Sequence, residues 1–362
     1  MSAGLVDGVE RIAVLRSGGL GDLVVAEPAL AAVRAAYPLA EISLLGAPHH
    51  AALVAGRPGP WDRFVEVPLV PGVRLGSDPD AGAADVEAWC AGQRDHRYDL
   101  ALQLHGGGGF SNPLVRRLGA RLTAGPAAPG AERLDRWLPY SAMQLDGLRW
   151  LETVALVGAL PVRLEPALVV LPAERAAARR LLGAPVRPVV AVHPGASEAR
   201  RRWPVERLAA VADTLADLGA AVLLLGGPGD EALVQGVRRA LRAEPLIAPA
   251  CTPLPVLLGL LAECALLLGN DSGPRHLAAA VGTPTVGVFS APNLADVAPL
   301  FRTWHRIAVS WRSACEVCGM RMVDGGCGHD ATALADVTVS EVEALAVGLW
   351  EQVLDAGGSV AA

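Results

Sequence analysis

Residues 11–36, RIAVLRSGGLGDLVVAEPALAAVRAA, contain the pattern that decides the fold of this chain. The aliphatic run Arg11–Arg16 predicts a buried β-strand, the glycine-rich segment Ser17–Asp22 predicts a turn, and the alanine-rich remainder predicts a helix that ends near Ala36. The same succession of a short aliphatic run, a loop and a stretch with helical spacing recurs along the chain. Strands that alternate with helices indicate βαβ units and therefore a parallel sheet.

This pattern starts again in the second half of the chain, which predicts an α/β protein with two doubly wound domains. The predicted strands are Arg11–Arg16, Glu41–Gly46, Tyr98–His105, Pro188–His193, Ala220–Gly226, Cys264–Asn270 and Thr285–Ser290. The proline-rich stretch Pro161–Pro188 is the predicted linker. We expect domains at residues 1–165 and 166–340, followed by a helix within residues 341–362 that crosses back to the first domain. Doubly wound domains bind ligands at the carboxyl ends of their strands, so a ligand is expected between the two domains.

The composition excludes several classes of protein. Of the 362 residues, 52% are hydrophobic and 19% are charged, which excludes a disordered or fibrous chain. The chain contains no lysine, so Schiff-base chemistry, a P-loop lysine and a lysine general base are excluded. The 31 arginines and 37 acids give a formal net charge of −6, with 14 arginines and 17 acids up to residue 160. Neither half is basic, which argues against sequence-independent binding of nucleic acid.

The sequence predicts a cytoplasmic protein with at most peripheral membrane contact. The first ten residues, MSAGLVDGVE, carry two acids and no apolar core, so they do not resemble a secretory signal. The longest apolar run, Leu254–Leu268, is shorter than the roughly 20 residues of a membrane-spanning helix, and Glu263 interrupts it. We interpret this run as a buried helix followed by a strand.

Two glycine-rich loops in the first half are candidates for ligand binding. The three glycines of Ser17–Asp22 let a backbone approach a ligand and expose N–H groups at a helix start. This loop is not GxGxxG, so it lacks the dinucleotide-binding fingerprint. Asp22 is either a helix cap or a functional carboxylate that faces the ligand. In His105–Asn112, four consecutive glycines indicate either close approach of a ligand or a mobile loop.

Three loops in the second half could bind a nucleotide. His193–Ser197 is followed by three arginines within Arg200–Pro204, which form either a diphosphate-binding cluster or a solvated charged run. In Gly269–His276, a serine and a glycine at a helix start offer a hydroxyl and backbone N–H groups to a phosphate, and the histidine is either part of that site or structural. Asp230, just past a predicted strand, is either a ribose-binding acid or a helix cap.

A cysteine-rich segment near the end of the chain has the ligand types of a structural zinc site. Cys315, Cys318, Cys327 and His329 have the spacing C-x2-C-x8-C-x-H, which matches no standard zinc finger. Reduced thiols and a disulfide are the alternatives, and six cysteines in 362 residues are too few for a disulfide scaffold.

Together, three segments resemble glycosyltransferase family 9, the ADP-heptose transferases of lipopolysaccharide core assembly and their relatives. They are RSGGLGD with the downstream EPAL, HPGAS followed by RRRWP, and GNDSGPRHLAAAVGTPTVGVFS. The resemblance implies the GT-B architecture, in which two Rossmann-like domains face each other across a cleft. It also implies inverting, metal-independent transfer from a nucleotide-diphosphate sugar, with the acceptor on the N-terminal domain and the donor on the C-terminal domain.

The resemblance assigns roles to individual residues. Asp22 matches the proposed general base, Arg201 stands where the family often has a phosphate-binding lysine, and Asp230 matches an acid near the donor ribose. The implied donor-binding residues are Ser197, Arg201, Asp230, Asp271, Ser272, Gly273 and His276. The expected acceptor-side residues are Gly19, Gly21, His105 and Gly107. No cofactor is expected beyond the ADP-sugar donor, apart from the structural zinc considered above.

The net charge of the first half of the chain bears on the chemical class of the acceptor. Lipopolysaccharide acceptors are phosphorylated and carboxylated, and a basic surface is expected to bind them. The formal charge of −3 up to residue 160 instead favours a neutral or cationic acceptor, either a glycan or a small natural product. The alternative functions are a non-catalytic protein that binds sugar nucleotides, a GT-B epimerase of sugar nucleotides and a Rossmann oxidoreductase.

Overall fold

The computed structural model of the chain describes residues 4–74, 83–183, 187–321, 327, 329 and 332–357. The chain divides into two compact units, residues 1–166 (unit 1) and residues 167–362 (unit 2). This division lies one residue from the boundary that the sequence pattern predicts.

Unit 1 is a parallel sheet with helices between its strands. Its strands are β1 (Arg11–Leu15), β2 (Glu41–Gly46), β3 (Arg63–Glu66), β4 (Leu100–Gln103), β5 (Leu122–Ala127) and β6 (Arg136–Pro139). Its helices are α1 (Leu20–Ala36), α2 (Ala51–Val54), α3 (Ala83–Asp95), α4 (Ser111–Arg117) and α5 (Asp146–Ala155). The strand order is β3-β2-β1-β4-β5-β6, and every pair is parallel.

Unit 2 repeats this architecture. Its strands are β7 (Val189–His193), β8 (Ala221–Leu224), β9 (Leu246–Ile247), β10 (Leu266–Asn270), β11 (Thr285–Ser290) and β12 (His305–Ser310). Its helices are α6 (Pro172–Leu182), α7 (Val205–Asp217), α8 (Glu231–Ala240), α9 (Leu254–Glu263), α10 (Gly273–Ala280), α11 (Ala291–Val297) and α12 (Val339–Asp355). The parallel order β12-β11-β10-β7-β8-β9 has the same connectivity as unit 1.

The central strands are buried because helices cover both faces of each sheet. In β7 and β10 every residue is buried, which explains why the sequence shows unbroken aliphatic runs there. The core of unit 2 also encloses two tryptophans, Trp203 and Trp350. Both units are therefore Rossmann-like, and the predicted fold class is confirmed. Among the described residues no helix combines the length and the apolar character that crossing a membrane requires.

Helix α12 packs against α7, β11 and β12 of unit 2. Trp350 of this helix donates its indole N–H (Nε1) to the carbonyl of Leu218 at the end of α7, over a distance of 3.4 Å. The crossing of this segment back to the first domain stays a prediction, and residues 358–362 lie outside the described part of the chain.

The strand order reverses at one place in each sheet, and this is where doubly wound folds bind ligands. In unit 1 the reversal lies between β1 and β4, and in unit 2 it lies between β7 and β10. The loops that follow these four strands start at Arg16, Leu104, Pro194 and Asp271. They are the glycine-rich and motif-bearing loops that the sequence singles out.

Candidate functional site

The loop after β1 is shaped by glycine and closed by Asp22. Gly18 has a φ of +103°, and a side chain there would collide with the Asp22 carboxylate. Asp22 Oδ2 accepts the backbone N–H of Gly19 at 2.7 Å, at the start of α1, and Gly21 lies in the first turn of that helix. The N-cap residue of α1 is thus Gly19 rather than Asp22, and Asp22 contributes to the cap from the N3 position.

A buried arginine holds the same carboxylate from the other side. Arg16 donates from Nη2 to Asp22 Oδ1 at 3.2 Å and from Nε to the Asp22 carbonyl at 2.8 Å. A third bond runs from Nη1 to the carbonyl of Leu104 at 2.9 Å, and the guanidinium lies 4.9 Å from the ring centre of Trp150. The Asp22 side chain keeps 44% of its surface exposed. A fixed and accessible carboxylate is compatible with both a capping and a catalytic role.

Three histidines bind three consecutive carbonyls of this loop. His105 Nδ1 lies 3.2 Å from the Ser17 carbonyl, His49 Nε2 lies 2.9 Å from that of Gly18, and His50 Nε2 lies 3.2 Å from that of Gly19. Burial and the charge of Arg16 lower the pKa of His105. The sequence analysis missed His49 and His50. Both histidines follow β2, which pairs with β1, so the two strands end at the same edge of the sheet. This position is the sequence feature that could have identified them as candidates.

The glycine tract after β4 is held by side chains. Gln103 Nε2 donates to the carbonyl of His105 at 3.0 Å, and Ser111 Oγ donates to the same carbonyl at 2.8 Å. Gly107 packs closely, because a Cβ there would lie 3.0 Å from Cβ of Ala128. These contacts, which involve the protein's own side chains, argue against a mobile loop, and the close approach of a ligand to the glycines stays a prediction.

In unit 2 the densest polar cluster surrounds Asp271, directly after β10. Its Oδ1 lies 3.2 Å from His276 Nε2 and 3.3 Å from Arg275 Nη2. Its Oδ2 accepts from Arg201 Nη2 at 2.6 Å and from Asn293 Nδ2 at 2.8 Å. Burial alone would raise the pKa of Asp271, but the hydrogen bond from His276 and the charges of the two arginines outweigh it and hold the pKa well below its usual range. The carboxylate is therefore permanently ionised.

The three arginines before α7 do not share one partner. Arg200 pairs with Glu198 at 2.7 Å, and Arg202 donates to the carbonyl of Ala196 from Nε at 3.1 Å and from Nη2 at 2.9 Å. Arg201 alone reaches the Asp271 cluster. A further bond from its Nη1 to Ser197 Oγ spans 3.3 Å, which brings two predicted donor-site residues together.

A second chain of contacts links Asp230 with the start of α10. His193 Nε2 lies 3.6 Å from Asp230 Oδ2, and His193 Nδ1 lies 3.2 Å from Ser272 Oγ. The hydrogen bond from His193 lowers the pKa of Asp230. The Asp230 side chain contacts no N–H group of its own helix, α8, in the described structure; it accepts the N–H of Gly227 at 3.0 Å. Ser272 precedes Gly273, the first residue of α10, so the predicted phosphate pair lies at a helix N-terminus.

Sequence analysis also missed Asn270, which joins the loops of unit 2. Its Oδ1 accepts the N–H of Trp203 at 2.9 Å, and its Nδ2 donates to the carbonyl of Pro194 at 2.7 Å. The side chain is fully buried. The sequence feature that could have identified Asn270 is its place between a glycine and Asp271 at the end of an aliphatic run. A polar side chain that is buried there needs hydrogen-bond partners within the protein.

The predicted metal ligands come together in the structure. The ligand atoms of Cys315, Cys318, Cys327 and His329 all lie within 4.8 Å of one another. His329 Nδ1 lies 3.4 Å from the sulfur of Cys327 and 3.7 Å from that of Cys315. Backbone hydrogen bonds from Cys318 and Val317 lower the pKa of Cys315 to about 6. The cluster can therefore supply three sulfur ligands and one nitrogen ligand.

Two Rossmann-like units, each with polar loops at its strand reversal, define the protein as a GT-B-type α/β protein. Residues 148–318 match the model of glycosyltransferase family 9 (heptosyltransferase). The chain is 34% identical over 163 residues to lipooligosaccharide heptosyltransferase 2 of Haemophilus influenzae, covering 40% of this chain and 46% of that protein. It is 34% identical over 107 residues to lipopolysaccharide heptosyltransferase 3 of Escherichia coli, covering 29% of this chain and 31% of that protein. The chain thus spans less than half the length of these curated relatives.

Solved structures support the fold over nearly the whole chain. A glycosyltransferase family 9 protein from Veillonella parvula has a TM-score of 0.75 at 19% identity, covering 95% of this chain and 97% of that chain. The ADP-heptose lipopolysaccharide heptosyltransferase II of E. coli has a TM-score of 0.72 at 22% identity, covering 95% and 99%. The match over residues 148–318 is to the family that the motifs resemble.

The loop after β1 depends on a neutral histidine. His50 Nδ1 accepts the N–H of Ala47 at 3.3 Å while Nε2 donates to the carbonyl of Gly19, so a proton on Nδ1 would break the first bond. Burial, aided by the charges of His49 and Arg16, lowers the pKa of His50 from 6.5 to about 4. The unfolded chain therefore binds more protons than the folded chain between these two values, and stability falls as the pH drops through this window.

We predict that the His50→Asn variant loses this pH dependence, because Asn can still accept the N–H of Ala47 but does not titrate. Between pH 7.5 and pH 5, the wild type should lose about 2 kcal/mol more unfolding free energy than the variant. Urea titrations at the two pH values measure this difference. His305, whose pKa burial and Arg275 lower to about 4, provides a second test in unit 2. An identical loss in variant and wild type would contradict the prediction.

Proposed function

We propose that this protein is an inverting glycosyltransferase that moves a heptose from ADP-heptose to a hydroxyl of a neutral or cationic glycan or small-molecule acceptor. Unit 2 binds the donor, unit 1 binds the acceptor, Asp22 acts as general base, and the transfer requires no metal. The observation that carries the proposal is the cluster around Asp271, which lies within the family-matched residues and at the strand reversal of unit 2.

The charges of this cluster suit a diphosphate. Arg201 and Arg275 face the single carboxylate of Asp271, so the cluster keeps a net positive charge when His276 is neutral. A guanidinium has five N–H donors, so Arg201 can hold Asp271 and still donate to a phosphate. The start of α10 adds backbone N–H groups and the Ser272 hydroxyl. These groups stabilise the charge that develops on the leaving ADP without a metal ion.

Asp230 supports the ribose assignment. Its carboxylate is ionised and is fixed by Gly227 and His193, so it can accept hydrogen bonds from the two ribose hydroxyls. His193 connects this carboxylate with Ser272. The proposed ribose and phosphate contacts are therefore neighbours in one hydrogen-bonded chain.

Asp22 is proposed as the base because inversion needs one proton acceptor beside the attacking hydroxyl. Its carboxylate is exposed enough to reach a substrate, and Arg16 together with the Gly19 N–H fixes its orientation. Residue 22 lies outside the family-matched range 148–318, so its role rests on the RSGGLGD motif and on this geometry. The proposed acceptor-side residues are Gly19 and Gly21 at the start of the same helix, His105, which contacts the Ser17 carbonyl, and Gly107.

The ion pairs of unit 1 support a neutral or cationic acceptor. Arg116 and Arg117 are adjacent arginines that could bind an anionic acceptor. In the structure, however, Arg116 pairs with Glu132 at 2.8 Å and Asp135 at 3.1 Å, and Arg117 pairs with Glu87 at 2.7 Å. Their charge is already compensated by acids, so they add little attraction for phosphate or carboxylate groups.

The donor assignment predicts selective binding of ADP-heptose in a calorimetric screen of ADP-, GDP-, UDP- and dTDP-sugars with NAD as control. Arg201→Ala should weaken binding by about tenfold or more, because charge-assisted hydrogen bonds to the diphosphate are lost. Arg201→Lys keeps the charge but not the double contact with Asp271, so it should weaken binding less than Arg201→Ala does, while Arg239→Ala on the exposed end of α8 should leave the affinity unchanged. Selective binding of another nucleotide sugar would exclude heptose transfer, and binding of NAD alone would contradict the proposed class.

The base assignment predicts that Asp22→Asn lowers kcat by about 10²–10⁴-fold, because the amide cannot accept the proton. The amide oxygen can still accept the N–H of Gly19, so the helix cap survives. Glu174→Gln is the matched control, since Glu174 Oε2 caps α6 through the N–H of Leu171 at 2.8 Å. ADP release measures both rates. Wild-type turnover in Asp22→Asn would mean that Asp22 is only a cap.

The acceptor assignment predicts that neutral glycosides bind better than anionic acceptors. With ADP-heptose present, a competition assay should show neutral or cationic glycosides displacing a labelled acceptor more effectively than a lipid-A-type molecule, because the formal charge up to residue 160 is −3 and Arg116 and Arg117 are paired with acids. Raising the salt concentration should change the ranking little. Preferential displacement by the anionic lipid acceptor would contradict this assignment.

A further inference from the structure

The first two cysteines of the C-terminal cluster lie in a tight turn. The N–H of Gly319 donates to the carbonyl of Cys315 at 2.9 Å, and the N–H of Cys315 donates to the carbonyl of Met320 at 2.9 Å. Gly319 has a φ of +72°, a conformation that favours glycine directly after Cys318. The turn brings the two sulfurs to the same side, which a C-x2-C spacing in extended backbone would not do.

Backbone N–H groups in this turn point at the sulfurs. The sulfur of Cys315 accepts the N–H groups of Val317 and Cys318, and the sulfur of Cys318 accepts that of Met320. Hydrogen bonds of this kind orient the ligand atoms of a metal site. They also fix the directions of the two ligands before an ion is bound.

The remaining two ligands, Cys327 and His329, lie at separations that a zinc ion can bridge. Zinc binds sulfur at about 2.3 Å and imidazole nitrogen at about 2.0–2.1 Å, so its tetrahedral ligand atoms lie roughly 3.5–3.8 Å apart. The sulfurs of Cys327 and Cys315 lie 3.4 Å and 3.7 Å from Nδ1 of His329, close to this separation. Three thiolates and one imidazole are a ligand set that selects zinc.

The geometry points to a structural zinc site formed by Cys315, Cys318, Cys327 and His329, which holds the backbone of the donor-binding Arg200–Arg202 segment in place. The link is a pair of hydrogen bonds just after the last ligand. Thr332 Oγ1 donates to the carbonyl of Arg202 at 2.6 Å, and the N–H of Ala333 donates to the carbonyl of Arg200 at 2.8 Å.

These two bonds flank Arg201, whose guanidinium contacts Asp271. The residues around the cluster also include Arg200, Thr332 and Ala333, so the metal ligands and the arginine segment line one small cavity. Bound zinc fixes His329, and with it the backbone that anchors Arg201. The effect on the donor rests on the proposed function, whereas the zinc site itself does not.

Elemental analysis of the purified full-length chain tests the site. We expect about one zinc per chain, because four protein ligands close the coordination sphere of a structural site. Cys327→Ser and His329→Ala should lose the zinc, His329→Cys should keep it as a four-thiolate site, and Cys251→Ser should keep it because Cys251 is an exposed cysteine outside the cluster. A wild-type chain without metal, or with iron in its place, would overturn the assignment whether or not the variants fold.

Calorimetric titration with ADP tests the coupling. Cys327→Ser should bind ADP about fivefold more weakly than the wild type, while Cys251→Ser should bind it normally. Equal ADP affinity in zinc-free and zinc-bound protein would overturn the coupling. If the wild type contains zinc but binds no ADP, the proposed function fails while the zinc site stands, so the two failures are distinguishable.

Discussion

The second unit depends most on the contacts that compensate the buried negative charge of Asp271. Its side chain is only 3% exposed, and an isolated charge in that position would be strongly unfavourable. Arg201, Arg275, His276 and Asn293 compensate it, and they come from three separate segments of the chain, because Arg275 and His276 are neighbours in α10. Removing one partner of a buried ion pair typically lowers the stability of a protein by about 3–5 kcal/mol, so the separation of these segments is energetically unfavourable. The requirement to neutralise one carboxylate thus assembles the proposed donor site.

Unit 1 uses the opposite arrangement. There the arginine is buried, with Arg16 4% exposed, and the carboxylate of Asp22 is 44% exposed. Arg16 also donates to two carbonyls and to the Asp146 carboxylate at 3.3 Å, so the exposed carboxylate of Asp22 is oriented by a charge that solvent cannot reach. A buried carboxylate suits the positioning of arginines that bind a diphosphate, while an exposed carboxylate suits proton acceptance from a substrate. The two units share a topology, but the carboxylate is buried in unit 2 and exposed in unit 1, and this difference distinguishes the roles proposed for them.

Because the chain contains no lysine, the basic side chain in both sites is an arginine. Arg16 and Arg201 each bind a carboxylate and the backbone carbonyl of the same residue. Such double contacts need a planar group with several diverging donors, which a lysine ammonium does not provide in a fixed geometry. The arginine that stands at a family lysine position can therefore be a structural partner of Asp271 as well as the proposed phosphate ligand.

Buried aliphatic runs made the central strands predictable, because a strand covered on both faces needs apolar side chains at every position. Strands β3, β6 and β9 carry exposed or half-buried side chains and β5 contains Gly125 and Pro126, so none of them has that pattern, and the sequence analysis missed them. The residue types of the loops after β1, β4, β7 and β10 were likewise apparent from the sequence. Their partners were not: His49 and His50 bind carbonyls 31 residues away, and His193 joins Ser272 across 79 residues. The sequence by itself determined the strand–loop–helix succession and the chemistry available in each loop, because these follow from local periodicity and residue type. Only the tertiary structure decided which of these groups meet, because contacts between distant segments depend on how the parallel strands are ordered in each sheet.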